Sequence, residues 1–127
     1  METRPRTVAV VEDNPSMRTS VERLLNTCGL TTEGYSSAEA FLSHATPAEL
    51  GCIVLDIHLA GMSGIELRYR LKTAHPRLAV IFITAIDDDG LELEARKVGC
   101  VAYLHKPFPA ASLVGAVKEA LAGNATD

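Results

Sequence analysis

The sequence predicts an α/β fold in which helices cover both faces of a doubly wound, five-stranded parallel sheet. Five short runs rich in apolar residues recur with helical stretches between them, at residues 8–11, 31–35, 52–55, 78–83 and 101–104. All but the second are nearly continuous in apolar residues, which is typical of strands buried on both faces of a parallel sheet. The second run is more polar and is predicted to lie at an edge. Strand–helix units joined by right-handed crossovers then give the doubly wound arrangement.

Each segment between the strands carries helix signals. Asn14 followed by Pro15 predicts an N-cap and a first helical residue, and Gly29 predicts the end of that helix. Residues 36–39 and 63–66 both fit the S-x-x-E capping box. The remaining signals are an acidic run at 87–89 before a helix expected to reach Val98, and Pro109 before a helix with an inner stripe of Leu113, Val117 and Leu121.

Length and composition are those of one domain, which we place at residues 1–127 with a core at about 7–122. No apolar run approaches the ~20 residues of a membrane span, and no apolar segment follows the arginines near the N-terminus. We therefore expect a cytoplasmic protein without membrane contact. The net charge is −4 and the Lys and Arg residues form no cluster, which argues against direct nucleic-acid binding by this domain.

The cysteines and histidines show no pattern of a metal or redox site. Cys28, Cys52 and Cys100 are widely spaced, and we expect three small buried hydrophobic side chains, with a redox role as the alternative. The histidines lack metal-ligand spacing and are expected on the surface or in loops; they are His44, His58, His75 and His105.

Polar side chains follow four of the predicted strands at their carboxyl ends. Parallel strands end at a common edge of the sheet, where ligands bind, so we expect these side chains to converge. They are Glu12 and Asp13 after the first strand, Asp56 after the third, Thr84 after the fourth, and His105 and Lys106 after the fifth.

The chemistry of this set favours a magnesium ion and a phosphoryl group. Glu12, Asp13 and Asp56 would repel one another unless a cation lies among them, and an all-oxygen cluster suits the hard cation Mg²⁺. Lys106 adds a positive charge and Thr84 a hydroxyl donor, which match the oxygens of a phosphoryl group in transfer. Asp56, the central carboxylate, is the predicted nucleophile. Each residue alone would be interpreted as a helix cap or a solvated strand end, but their joint placement argues against that.

Five motifs resemble the receiver domains of two-component response regulators. They are residues 10–14 (VVEDN), 54–57 (VLDI), 61–67 (GMSGIEL), 83–85 (ITA) and 106–108 (KPF), and the likeness extends from about Thr7 to Leu121. Residues 35–42 (YSSAEAFL) resemble FixJ-type receivers most closely. The resemblance implies a flavodoxin-like (βα)5 fold with strand order 2-1-3-4-5. Ala60 stands where the family usually has proline, which leaves the loop after Asp56 less rigid.

The resemblance also implies roles for the acidic residues. Asp56 would accept a phosphoryl group from a histidine of a sensor histidine kinase. Asp13 and Asp56 would ligate Mg²⁺ directly, Glu12 through a water molecule, and His58 through its backbone carbonyl.

Further implied roles concern the phosphoryl oxygens and a conformational switch. Thr84 and Lys106 would hold the phosphoryl oxygens. Tyr103 would move inward as Thr84 moves toward the phosphate, and the bond between Lys106 and Pro107 would be cis. The surface of the last two helices and the fifth strand would then favour a homodimer, an output domain or another protein partner.

Self-hydrolysis of the acyl phosphate would reset the switch, so we do not expect an enzyme in the ordinary sense. Two alternatives differ in class. A Mg²⁺-dependent phosphohydrolase of small molecules generally needs a second acidic residue two positions after the nucleophile, where this chain has His58. A degenerate receiver acting only as a binding scaffold would lack Asp56, Lys106 or the acid pair, and all of these are present.

Overall fold

Five strands and five α-helices alternate along residues 7–125, the part of the chain that the computed structural model describes. The strands are β1 (Thr7–Val11), β2 (Thr32–Tyr35), β3 (Leu50–Asp56), β4 (Ala79–Thr84) and β5 (Ala102–His105). The helices are α1 (Pro15–Thr27), α2 (Ala38–His44), α3 (Gly64–Ala74), α4 (Asp89–Val98) and α5 (Ala110–Ala125), with a short 3-10 helix at Pro47–Glu49. None of the helices in this part of the chain has the length and hydropathy that crossing a membrane requires.

The sheet is parallel throughout, in the order β2-β1-β3-β4-β5, which confirms the predicted fold class and strand order. The register aligns the carboxyl ends of the central strands. Val11 pairs with Leu55, Asp56 pairs with Ile83, and Thr84 pairs with His105. The residues that follow these strands therefore begin at nearly the same height on one edge.

Side chains of the central strand β3 alternate between two apolar clusters, one on each face of the sheet. Ile53 and Leu55 pack with apolar side chains of α2, α3 and α4, whereas Cys52 and Val54 pack with those of α1 and α5. All seven residues of β3 are buried. Each fully buried Ile or Leu stabilises the fold by about 1.5–3 kcal/mol, so this strand holds the two helical layers together.

The prediction that the fifth strand is buried on both faces is wrong. β5 is an edge strand whose residues are half-buried or exposed, and Val101, just before it, is 38% exposed. An apolar run reports that a strand packs well, but it does not reveal whether a second strand pairs with its outer side. The predicted edge position of β2 is confirmed.

The start and end of α1 follow the sequence signals. The side-chain oxygen of Asn14 accepts the Met17 backbone N–H at 3.0 Å, and Pro15 is the first helical residue. Gly29 has φ +85°, the left-handed conformation that ends many helices at glycine. Cys28 is exposed, which contradicts its predicted burial: it follows the last helical residue, where the helical periodicity no longer applies.

Cys52 is buried as predicted and Cys100 is half-buried. Burial raises the pKa of the Cys52 thiol to about 12, so it remains protonated and unreactive at neutral pH. His44, His58 and His105 are exposed, and His75 is half-buried beside the end of α3.

One of the two predicted capping boxes is displaced by one residue. The N-cap of α2 is Ser37, whose hydroxyl accepts the Ala40 backbone N–H at 2.9 Å, and not Ser36. The second box begins as predicted, since the Ser63 hydroxyl accepts the Glu66 backbone N–H at 3.1 Å. Two adjacent serines satisfy the pattern in either frame, and only the conformation of the turn selects between them.

Arg68 of α3 is a buried cation that the sequence patterns did not indicate. Its guanidinium donates to the Gly99 carbonyl at 2.9 Å and to the Leu78 carbonyl at 3.1 Å. Burial lowers the pKa of this guanidinium, but an arginine remains charged in proteins. The side chain thus ties α3 to the turns that precede β4 and β5.

We predict that Arg68→Ala lowers the free energy of unfolding by about 2–4 kcal/mol, because it leaves two inward-facing carbonyl groups without a charged donor. Urea denaturation followed by circular dichroism measures the change. The matched control on the same helix is Arg70→Ala, which removes an exposed ion pair with Glu66 and is expected to cost about 0.5 kcal/mol or less. Equal losses in the two variants would contradict the bridging role of Arg68.

Candidate functional site

The predicted site residues gather at the carboxyl edge of the sheet. Glu12 and Asp13 follow β1, Asp56 is the last residue of β3, and Thr84 is the last residue of β4. Lys106 follows β5 directly, and its backbone N–H donates to the Thr84 carbonyl at 2.7 Å. The parallel register brings together side chains that are up to 94 positions apart in the sequence.

Three carboxylates form the centre of the site. Glu12, Asp13 and Asp56 each offer an oxygen atom within 4.8 Å of the others. Glu12 is only 1% exposed and Asp56 4%, whereas Asp13 is exposed to solvent. The cluster is therefore closed by the sheet on one side and open at Asp13. Its all-oxygen donor set fits a hard divalent cation such as Mg²⁺.

Among the described residues, Lys106 forms ion pairs with both buried carboxylates. Its Nζ lies 2.7 Å from Glu12 Oε1 and 3.3 Å from Asp56 Oδ2. Desolvation lowers the pKa of Lys106, but the hydrogen bond to Glu12 and the charge of Asp56 outweigh it, and the net shift is upward. The ammonium group therefore stays protonated, and it offsets part of the negative charge of Glu12 and Asp56, which are nearly inaccessible to water.

Backbone N–H groups orient the same two carboxylates. Glu12 Oε2 accepts the Asn14 N–H at 3.1 Å, and Asp56 Oδ1 accepts the His58 N–H at 3.1 Å. Each carboxylate thus uses one oxygen for a local turn and the other for Lys106. These four hydrogen bonds fix the orientation of both carboxylates.

Thr84 is fully buried at the end of β4. Its hydroxyl oxygen accepts the Ile86 backbone N–H at 3.1 Å. Accepting this bond does not use the hydroxyl hydrogen, so Thr84 keeps the capacity to donate to a further oxygen.

The peptide bond between Lys106 and Pro107 is cis.

Tyr103 lies in the middle of β5, and its ring packs against the apolar cluster that includes α4. Its hydroxyl is buried and has no hydrogen-bond partner among residues 7–125. Desolvation, together with the nearby charges of Glu92 and Asp88, raises the pKa of this phenol. The position of the ring is therefore set by apolar packing and not by a hydrogen bond of its hydroxyl to another described residue.

Two side chains at this edge were missed by the sequence analysis. Arg18 of α1 donates from Nη1 to the Glu12 carbonyl at 2.8 Å, which braces the chain where β1 leaves the sheet. Glu39 of α2 accepts the Met62 backbone N–H at 2.8 Å. No local pattern marks Arg18, and Glu39 was interpreted as a member of a capping box.

Comparison with known proteins identifies relatives of this chain. The response regulator receiver domain matches residues 8–118. The transcriptional regulatory protein FixJ of Azorhizobium caulinodans is 38% identical over 118 residues, which are 93% of this chain and 56% of FixJ.

Two solved structures are similar along nearly the whole chain. The response regulator StyR superposes with a TM-score of 0.88 at 38% identity, covering 98% of this chain and 62% of that one. The FixJ-N structure superposes with a TM-score of 0.84 at 32% identity, covering 96% of each chain.

The chain spans about half the length of the curated relatives that it matches. The family match nevertheless covers β1 from Val8 onward and all of β2 to β5, and it includes Glu12, Asp13, Asp56 and Lys106. This chain belongs to the family of response regulator receiver domains of two-component systems.

Proposed function

We propose that Asp56 accepts a phosphoryl group from the phosphohistidine of a sensor histidine kinase, in a reaction that depends on Mg²⁺. One observation carries the proposal: a nearly buried carboxylate lies 3.3 Å from a protonated lysine and within 4.8 Å of two further carboxylates. A family of phosphoacceptor domains is the setting in which this arrangement is expected.

The residues present fit a magnesium ion. Asp13 and Asp56 would hold it directly, Glu12 through water, and the His58 carbonyl would complete the protein ligands. When bound, Mg²⁺ supplies positive charge to the oxygens of the transferring phosphoryl group.

Asp56 would form the new P–O bond while the P–N bond to the kinase histidine breaks and the imidazole leaves with its electron pair. An ionised carboxylate needs no base to activate it, so no proton has to be removed from the nucleophile. Lys106 and the Thr84 hydroxyl would then stabilise the phosphoryl oxygens by a charge and a hydrogen bond. Attack of water on the acyl phosphate would restore Asp56, so the chain would assist its own phosphorylation and dephosphorylation.

The switch would run from Thr84 to Tyr103. Donation from the Thr84 hydroxyl to a phosphoryl oxygen would change the space at the end of β4, and Tyr103 would adjust to it. The surface of α4, β5 and α5 would then bind a second copy of the chain, an output domain or another protein. We place this exchange in the cytoplasm and assign no nucleic-acid contact to the receiver itself.

We predict that acetyl phosphate with Mg²⁺ adds one phosphoryl group to the wild-type chain and none to Asp56→Asn, because the amide cannot act as the nucleophile. Intact-mass spectrometry measures the addition. Asp89→Asn, which alters an exposed carboxylate in the first turn of α4, is the matched control and should be labelled like the wild type. Labelling of Asp56→Asn, or full labelling in EDTA, would contradict the assignment of acceptor and metal.

We predict that Lys106→Met, measured without metal, lowers the free energy of unfolding by about 2–3 kcal/mol, because Glu12 and Asp56 lose their shared counter-charge. The same variant should bind Mg²⁺ more tightly than the wild type, since no ammonium group competes for the carboxylates. Thermal unfolding over a Mg²⁺ titration measures both effects. Lys97→Met, on the exposed side of α4, is the control. An unchanged metal-free stability would show that the ion pairs contribute nothing.

We predict that beryllofluoride, which mimics the phosphoryl group, changes amide exchange within residues 84–122 while exchange in α1 stays constant as an internal control. Coupling of about 1–3 kcal/mol corresponds to changes of roughly 5- to 150-fold in opening equilibria. Sedimentation under the same conditions reports whether the changed surface forms dimers. Identical exchange of residues 84–122 in both states would contradict the switch even if Asp56 is phosphorylated.

A further inference from the structure

A carboxylate outside the cluster contacts the loop that follows the phosphoacceptor. Glu39 lies in the first turn of α2, and its Oε2 accepts the Met62 backbone N–H at 2.8 Å across 23 positions of sequence. Met62 belongs to the β3–α3 loop, which we define as residues 57–63, between the end of β3 and the start of α3. The hydrogen bond therefore joins a helix on one side of the site to the segment that leaves it.

The backbone of Glu39 is firmly placed. Ser37 caps α2, and the helix is fixed to the core by Ala38 and Phe41, both fully buried. The ring of Phe41 packs edge-on against that of Tyr35, with centroids 5.3 Å apart and an interplanar angle of 83°. The Glu39 carboxylate thus extends from a rigid element although its side chain is exposed.

The loop is shaped to receive this carboxylate. Gly61 has φ +80°, and a Cβ atom there would lie 2.6 Å from Glu39 Oε2, so a side chain at this position would displace the carboxylate. The loop is closed at its base by a hydrogen bond of 2.9 Å from the Gly64 N–H to the Ile57 carbonyl. Ala60 provides no ring to restrict the backbone between these points.

The charge state of Glu39 favours its hydrogen bond to the Met62 amide, which we call the tether. Hydrogen bonds from the backbone N–H groups of Met62 and of Glu39 itself lower the pKa of this carboxyl. The side chain is therefore an ionised acceptor at neutral pH, and hydrogen bonds to ionised groups are stronger than those between neutral ones.

We propose that Glu39 is a positioning residue for the phosphorylation site: by binding the Met62 amide, it holds the β3–α3 loop so that the His58 carbonyl faces the metal. The proposal rests on the proposed function, because it assigns Glu39 a part in the same reaction. The start of the loop already contacts the acceptor, since the His58 N–H donates to Asp56 Oδ1 at 3.1 Å. A shift at Met62 is thus transmitted over four residues to a group that touches Asp56.

Three variants separate the hydrogen bond from the charge. Glu39→Ala removes both, whereas Glu39→Gln removes the charge but keeps a carbonyl oxygen that can accept the Met62 N–H. Glu49→Ala removes an exposed carboxylate beside the opposite end of β3 and is the matched control. The Mg²⁺ dissociation constant, the rate of labelling by phosphoramidate and amide exchange at Met62 are measured for each variant of the 127-residue chain.

We expect Glu39→Ala to raise the Mg²⁺ dissociation constant by about 3- to 10-fold. Mutation of residues that orient metal ligands typically lowers metal affinity by about 10- to 100-fold, so the expected effect lies at or below the lower end of that range. Labelling should slow by a similar factor, and Met62 should exchange faster. Glu39→Gln should retain most of the wild-type affinity, and Glu49→Ala should match the wild type in all three measurements.

Several results would overturn the proposal. Unchanged Met62 exchange in Glu39→Ala would mean that the tether does not hold the loop in solution. Faster exchange with wild-type metal affinity and labelling would show that the tether does not position the site. Equal losses in Glu39→Gln and Glu39→Ala would assign the effect to charge alone. A wild-type chain that neither binds Mg²⁺ nor becomes labelled would instead overturn the proposed function, and this inference with it.

Discussion

The charge balance at the carboxyl edge of the sheet is the constraint on which the site depends. Two carboxylates, those of Glu12 and Asp56, are almost inaccessible to water, and isolated buried charges of this kind are strongly unfavourable. Lys106 contacts both, at 2.7 and 3.3 Å, and its single positive charge offsets part of their negative charge. The parallel register sets these distances, because it ends β1, β3 and β5 at nearly the same height. The register that pairs the strands of the sheet is therefore the same register that places Lys106 beside the two carboxylates.

Much of this arrangement could be predicted from local pattern. Helix signals between apolar runs indicated alternating elements, and the rule that parallel strands end at a common edge placed Asp56, Thr84 and Lys106 together. The family motifs supplied the strand order. Burial of β5 was predicted wrongly because hydrophobicity along a strand carries no information about its neighbours in the sheet.

Other features depend on contacts between distant segments, which no periodic pattern in the sequence indicates. Arg68 looks like an ordinary charged residue of a helix, and its burial follows only from the two carbonyl groups that α3 meets when it packs. Glu39 was assigned to a capping box that begins at Ser36. The actual cap is Ser37, which places Glu39 in the second position of the helix and directs its carboxylate toward the β3–α3 loop.

The hydroxyl of Tyr103 is the polar end of an otherwise apolar contact at the edge of the sheet. Its oxygen is shielded from solvent and has no hydrogen-bond partner among residues 7–125. The position of the ring is therefore set by its packing against the apolar cluster that includes α4, and no directional bond to another described residue holds it. Under the proposed switch, Tyr103 would move without first breaking a hydrogen bond to residues 7–125, so the barrier to that movement would come from repacking of apolar side chains.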